Sequence, residues 1–152
     1  MIKIINLKDK QEFLDDVVNC IWKQWGTETN QNFYKSLIQS IINNETEDIP
    51  QAYIAIDEYE FIGVITLLRS DLKSRQDLFP WLACLYVIEK ERGKGIGRLL
   101  EKYCEDRAKE IGYSKLFLIT ELENYYEKTG WKFIGKEPTI PGDMIKVYER
   151  NL

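Results

Sequence analysis

Between Leu85 and Leu100 the chain runs from an apolar segment through three glycines into an amphipathic helix: Leu85-Tyr86-Val87-Ile88-Glu89-Lys90-Glu91-Arg92-Gly93-Lys94-Gly95-Ile96-Gly97-Arg98-Leu99-Leu100. Few folds accommodate this passage, because it sets a strand, a tight turn and a helix in fixed succession. The apolar run starts at Trp81, directly after Pro80, and its aromatic and branched side chains as far as Ile88 predict a strand buried on both faces. From Ile96 the apolar positions Leu99, Leu100, Tyr103, Cys104, Ala108 and Ile111 recur at helical spacing, with Glu101, Lys102, Glu105, Asp106 and Lys109 expected on the opposite, solvated face. Gly112 ends the helix.

Gly93, Gly95 and Gly97 leave no side chains in front of the helix's first N–H groups. Those unpaired donors, with the positive end of the helix dipole, make an anion site suited to a diphosphate. Lys90, Arg92, Lys94 and Arg98 surround it against Glu89 and Glu91, a basic patch in a chain of net charge -4. A Walker A loop requires GxxxxGK followed by Ser or Thr, and a dinucleotide fingerprint requires GxGxxG; Gly93-Lys94-Gly95-Ile96-Gly97-Arg98 meets neither. The pattern present is Arg-x-x-Gly-x-Gly, at Arg92, Gly95 and Gly97.

A second motif, Asn124-Tyr125-Tyr126-Glu127-Lys128-Thr129-Gly130-Trp131, lies between two further apolar runs. Together the two motifs resemble those of the GCN5-related N-acetyltransferases, the GNAT superfamily. The first matches that family's acetyl-CoA pyrophosphate loop. The second matches the segment usually written N-x-x-F-Y-E-K-x-G-F, with Asn124 nearer the aromatic pair than the pattern has it. The specific match runs from Trp81 to about Ile134; upstream of it only the order of elements agrees.

The resemblance implies that Arg92, Gly93, Lys94, Gly95, Ile96, Gly97 and Arg98 hold the cofactor's pyrophosphate. It further implies that the backbone of the central strand at Leu85, Tyr86 and Val87 pairs with the pantetheine arm and that one of these groups polarises the thioester carbonyl. Tyr126 falls on the tyrosine that in many members reaches the CoA sulfur as general acid. A phenol of pKa ~10 protonating a thiolate of ~8.5 is uphill by roughly 2 kcal/mol, which a preorganised hydrogen bond offsets. Some members carry a basic Glu or Asp on the central strand, but Phe79 to Ile88 contains no acid. Glu121 and Glu123 read as solvated turn residues in preference to a base acting through water.

The chain has no histidine, which removes Ser-His and Cys-His catalysis, His-ligated zinc and histidine as general base. Cys20, Cys84 and Cys104 lack CxxC spacing and fall on apolar positions, so they read as buried free thiols and neither as a disulfide nor as a metal site. The negative net charge argues against a nucleic-acid partner and mildly favours a cationic small substrate. No run reaches the ~18 apolar residues of a membrane span, and Met1-Ile2-Lys3-Ile4-Ile5-Asn6 lacks the apolar core and cleavage site of a signal peptide, so the expectation is a cytoplasmic protein without a membrane partner.

Along the chain, Ile2 to Leu7 reads as a first strand, followed by amphipathic helices over about 10–25 and 30–43, with Gly26 between them and Asn30 or Thr29 as N-cap. Trp22, Trp25, Phe33 and Tyr34 lie at helical spacing and read as core in preference to a pocket wall. Asn43 to Asp48 is a solvated loop. Ala52–Ile56 and Phe61–Leu68 form strands around a short turn, and Ser70 to Phe79 is a polar loop. Leu116–Ile119, Trp131–Ile134 and Met144–Tyr148 are the last strands, and the βαβ arrangement makes the first of them parallel to the central strand.

The expectation is a single α/β domain over residues 1–152, with a mixed, mostly antiparallel sheet of six or seven strands, about four helices, and a parallel, splayed central pair. The resemblance implies an N-acetyltransferase that uses acetyl-CoA and no metal, acts on a primary amine of a small molecule or peptide by direct attack in a ternary complex, and pairs as a homodimer, as family members often do. The alternative is a non-catalytic acyl-CoA-binding or sensor module.

Overall fold

The computed structural model describes residues 1–152 and contains one seven-stranded sheet. Its strands are β1 (Ile2–Asn6), β2 (Gln51–Asp57), β3 (Glu60–Leu68), β4 (Trp81–Val87), β5 (Lys115–Thr120), β6 (Lys132–Pro138) and β7 (Met144–Asn151), in the spatial order β1-β2-β3-β4-β5-β7-β6. Every pairing is antiparallel except β4 with β5. Three α-helices, α1 (Leu14–Trp25), α2 (Gln31–Ile42) and α3 (Ile96–Ile111), cover the sheet. The short helix expected after the fifth strand is a 3-10 turn at Glu127–Thr129.

The two-residue period of the strands sorts their side chains between two cores. Ile54, Val64, Leu68, Trp81 and Ala83 turn toward α1 and α2, where Val17, Val18, Ile21, Ile38 and Ile41 meet them. Tyr53, Ala55, Ile65, Leu67 and Leu82 turn the other way, onto Ile96, Leu100, Cys104 and Ala108 of α3.

Strand β4 breaks this alternation. Ala83 and Cys84, neighbours in sequence, both face the α1/α2 side, whereas Leu85 and Val87 face α3. Cys84 takes a φ of 53°, and the ladder slips so that Thr66 opposes Ala83 while Val64 opposes Tyr86. This is a β-bulge, and it re-aims every later side chain of the strand. The hydroxyl of Thr66, fully buried, donates to the Ala83 carbonyl at 2.9 Å across it.

The parallel partner is lost at nearly the same place. β4 and β5 share only the pair Trp81–Phe117, with Phe117 N–H donating to the Pro80 carbonyl at 3.1 Å, and beyond it they part. The prediction of burial on both faces therefore holds for Trp81 to Ala83 and fails from Cys84 to Ile88, which are only partly buried. A strand edge without a neighbour leaves its flanking side chains accessible.

Two further expectations are corrected. Glu101 and Glu105, assigned to the solvated face of α3, are 2% and 4% exposed, because β7 and the segment before β6 close over that side of the helix. Trp25 and Phe33, read as core, are 47% and 63% exposed at the junction of α1 and α2, where no element covers them.

Candidate functional site

The turn between β4 and α3 is built by backbone constraints. Gly93 and Gly95 have φ of 78° and 81°, a left-handed conformation that costs a residue with a Cβ roughly 1–2 kcal/mol. Gly95 occupies the N-cap position but has no side chain to offer, and the first helical bond runs from Leu99 N–H to the Gly95 carbonyl at 3.1 Å. The N–H groups of Ile96, Gly97 and Arg98 are thus left without backbone partners. A Cβ built on Gly93 or Gly95 meets nothing within 4 Å, so the space before these donors is open. One built on Gly97 lies 3.8 Å from Val87 Cγ2 and 3.9 Å from the Tyr125 hydroxyl, which brings β4 and the second motif to the same spot.

The four cations around the turn are not equivalent. Lys90 pairs with Glu60 at 3.1 Å, Lys94 with Glu91 at 2.9 Å, and Arg98 with Glu101 at 2.8 Å and Glu105 at 3.4 Å. Arg92 alone has no acidic partner: its Nε donates to the Val87 carbonyl at 2.8 Å and its guanidinium lies 5.3 Å from the centre of the Tyr86 ring. The pairs of Lys90 and Lys94 are exposed and weak, so both ammonium groups remain available to an anion. The Arg98 guanidinium is held by two buried carboxylates, while its backbone N–H stays at the turn.

Leu85, Tyr86 and Val87 form the part of β4 beyond the single β5 pair, and the Val87 carbonyl points away from β3 toward the turn. The gap between β4 and β5 therefore opens onto the first turn of α3, and β4 runs along it with no β5 partner after Trp81 and with its Val87 carbonyl taken by Arg92.

The two tyrosines of the second motif separate. Tyr126 is 9% exposed, with its ring among Trp131, Tyr148 and Tyr125 at centroid distances of 6.1, 6.4 and 4.8 Å. Burial first, then Glu101 and Tyr125, hold its hydroxyl well above the ordinary phenol range. Tyr125, 48% exposed, turns its hydroxyl toward Gly97. Beneath both lies a network that periodicity gave no sign of. Glu101 accepts from the Trp131 indole N–H at 2.8 Å, from Arg98 and from the Thr129 hydroxyl at 3.3 Å. Arg150 pairs with Glu105 at 3.1 Å and donates to the Thr129 carbonyl. Burial raises the Glu105 carboxyl above its usual range in spite of Arg150 and Arg98. The network ties the loop bearing both tyrosines to α3.

Glu121 and Glu123 are exposed, and Glu123 pairs with Lys146 at 3.0 Å. The three thiols are free, and burial raises each: Cys20 and Cys84 to about 12, and Cys104 well above the usual thiol range. The polar loop after β3 holds an acid that neither motif marks. Asp71 is partly buried beside β4, and burial alone raises its carboxyl to about 7. No pattern in the sequence marks it, because its setting is made by chain segments distant in sequence.

The model of the Acetyltransferase (GNAT) family matches residues 14–131. An uncharacterized N-acetyltransferase of Chlorobaculum tepidum is 28% identical over 101 residues, which cover 66% of this chain and 62% of the relative. The N-alpha-acetyltransferase 30 of Schizosaccharomyces pombe is 28% identical over 85 residues, covering 53% of this chain and 56% of that protein. The chain thus spans less than two thirds of either relative. Among solved structures, an aminoglycoside 6'-N-acetyltransferase complexed with coenzyme A superposes with a TM-score of 0.75 at 18% identity, covering 99% of this chain and 96% of the other. An acetyltransferase of Streptococcus agalactiae superposes with a TM-score of 0.73 at 21% identity, covering 99% and 98%. These structures share the fold, and with the family model matched across both motifs, the chain belongs to the GNAT family of acetyltransferases.

Proposed function

We propose that this chain transfers an acetyl group from acetyl-CoA to a primary amine of a small molecule or peptide, by direct attack in a ternary complex. The observation that carries this reading is the coincidence of two vacant hydrogen-bonding edges. The unpaired N–H groups of Ile96, Gly97 and Arg98 face open space, and the unpaired edge of β4 runs into the same space. A diphosphate suits the first and an extended amide arm suits the second. The coenzyme A complex of a structural neighbour and the names of both relatives support the reading.

In this scheme Gly93, Lys94, Gly95, Ile96, Gly97 and Arg98 cradle the pyrophosphate with Arg92, Arg98 through its backbone N–H while its guanidinium, paired with Glu101 and Glu105, fixes the helix end. Leu85, Tyr86 and Val87 offer backbone groups to the pantetheine arm. Tyr126, protonated throughout the neutral range, donates to the departing sulfur.

Calorimetry of acetyl-CoA on the native chain and on Gly97→Glu tests the donor site. Gly97 is the cleaner position, because its backbone is not left-handed and a Cβ there makes only ordinary contacts, whereas Gly95→Glu adds backbone strain. Micromolar binding by the native chain, weakened at least about 100-fold by a carboxylate at the helix N-terminus, is expected; no binding by the native chain overturns the reading. Tyr126→Phe should then lower kcat for thiol release by about 100-fold or more with little change in acetyl-CoA affinity. Binding without thiol release on any amine would leave the non-catalytic acyl-CoA module as the answer.

A further inference from the structure

The face of β4 turned toward α1 and α2 carries an acid without a partner. Leu72, 4% exposed, packs into the cluster of Trp81, Ala83 and Phe117, and this draws the segment after β3 onto that face. Asp71 precedes it, partly buried, and no hydrogen bond or ion pair reaches its carboxylate. Farther along, the same loop is tied down by Arg75, bonded to Asp77 and Glu137 at 2.8 Å each, and by the Ser74 hydroxyl on the Pro138 carbonyl at 2.8 Å. The titratable groups facing Asp71 are Cys84, at the bulge of β4, and Tyr34 of α2, each near enough for its ionisation to be opposed by the carboxylate; Cys20 of α1 stands next to Cys84. None is a cation. A groove of about 580 Å³ opens along the neighbouring stretch of α1, β3 and β4, lined by Asp16, Cys20, Lys23, Glu60, Tyr86 and Lys90 among others.

A lone carboxylate partly withdrawn from water is destabilising until a cation joins it or it takes a proton, and this one stands near Cys84, at the bulge of β4 past its single pair with β5. We infer that Asp71 forms the acceptor subsite, binding the acceptor's ammonium group and taking its proton, and that the acceptor is a cationic primary amine. The inference rests on the acetyltransferase reading above.

The ammonium N–H gives its proton to the Asp71 carboxylate, and from there the proton passes to water. The freed nitrogen lone pair attacks the thioester carbon, a C–N bond forms, and the C–S bond breaks with its electron pair on sulfur. Tyr126 protonates the sulfur and regains a proton from the acylated nitrogen. With its carboxyl near 7, Asp71 accepts from a lysine-like ammonium of pKa ~10.4 over a gap of about three pKa units, against about six for an ordinary aspartate. Cys84 and Cys20 stay protonated to about 12 and Tyr34 is likewise raised, so the inflection near neutrality belongs to Asp71.

The test follows thiol release from acetyl-CoA with a panel of alkyl monoamines and diamines, from about pH 5.5 to about pH 9, on the native chain, Asp71→Asn and Asp71→Glu, with calorimetry of acetyl-CoA on each. The native kcat/KM should rise through about pH 7. Asp71→Asn should lose about 100-fold in kcat/KM together with the inflection, and keep its acetyl-CoA affinity, while Asp71→Glu recovers part of both. Native kcat/KM and pH profile in Asp71→Asn overturn this inference alone, as does a native chain that binds acetyl-CoA and acetylates no cationic amine. A native chain that binds no acetyl-CoA overturns the acetyltransferase reading and this inference with it.

Discussion

Glu101 shows how much of a site rests on one buried side chain. Its Oε1 accepts hydrogen bonds from Arg98, from the Trp131 indole and from the Thr129 hydroxyl, and its residue is 2% exposed. Glu101→Ala removes the acceptor, leaving the buried indole N–H unpaired and Arg98 with Glu105 alone, so a loss of about 1–3 kcal/mol is expected from urea unfolding. Glu101→Gln keeps the volume and one acceptor oxygen and should cost less than half as much. A native-like unfolding midpoint for the alanine variant would mean that the network carries no stability. Helical periodicity assigned this residue to solvent, since a side chain's spacing on its own helix says nothing about what later strands lay across it. Arg98 shows the same limit of local pattern: adjacent to the glycine turn in sequence, its guanidinium pairs with Glu101 and Glu105 in space, while its backbone N–H has no backbone partner.

At the scale of elements, the bulge in β4 carries the largest consequence. It turns Cys84 and Ala83 to one face and swings Leu85 and Val87 to the other, so the strand presents different chemistry to α1/α2 and to α3. The Thr66 hydroxyl bonds the Ala83 carbonyl inside the sheet. Thr66→Val preserves the shape and removes the donor, leaving a buried carbonyl short of a partner. A cost of about 1–3 kcal/mol is expected, with faster hydrogen exchange at Tyr86 and Ile88, while Thr66→Ser restores both; unchanged exchange at these amides would show that the bulge stands without the hydroxyl. The strands, the helices and the parallel pair were legible, because apolar period and turn residues are local properties. The bulge was not, because Cys84 belongs to no residue type that marks a left-handed φ.

For the molecule as a whole, Asp71 links the site to stability. Its carboxyl is near 7 in the fold against 3.8 in the open chain, so between those values the folded protein holds the proton more tightly. Stability from this residue is full below about pH 4, falls as the pH rises through 7, and is level beyond it. Asp71→Asn should therefore match the native chain at about pH 4 and exceed it at about pH 8, on the order of 1–3 kcal/mol by urea midpoints. Equal midpoints at both pH values would show that the carboxyl is not held out of water. A variant more stable and less active is the pattern expected of a group kept for chemistry.

The sequence by itself determined the order of elements, the glycine turn with its free N–H groups, the βαβ pairing and the family motifs, since each depends on residues within a turn or two of one another. The tertiary structure alone decided which cations at the turn are free, which tyrosine hydroxyl faces Gly97, how far β4 parts from β5, and where an unpaired carboxylate sits. Those outcomes depend on desolvation and on partners brought from strands and loops far apart in the chain, and no local pattern encodes what will be packed against a residue once the sheet has closed.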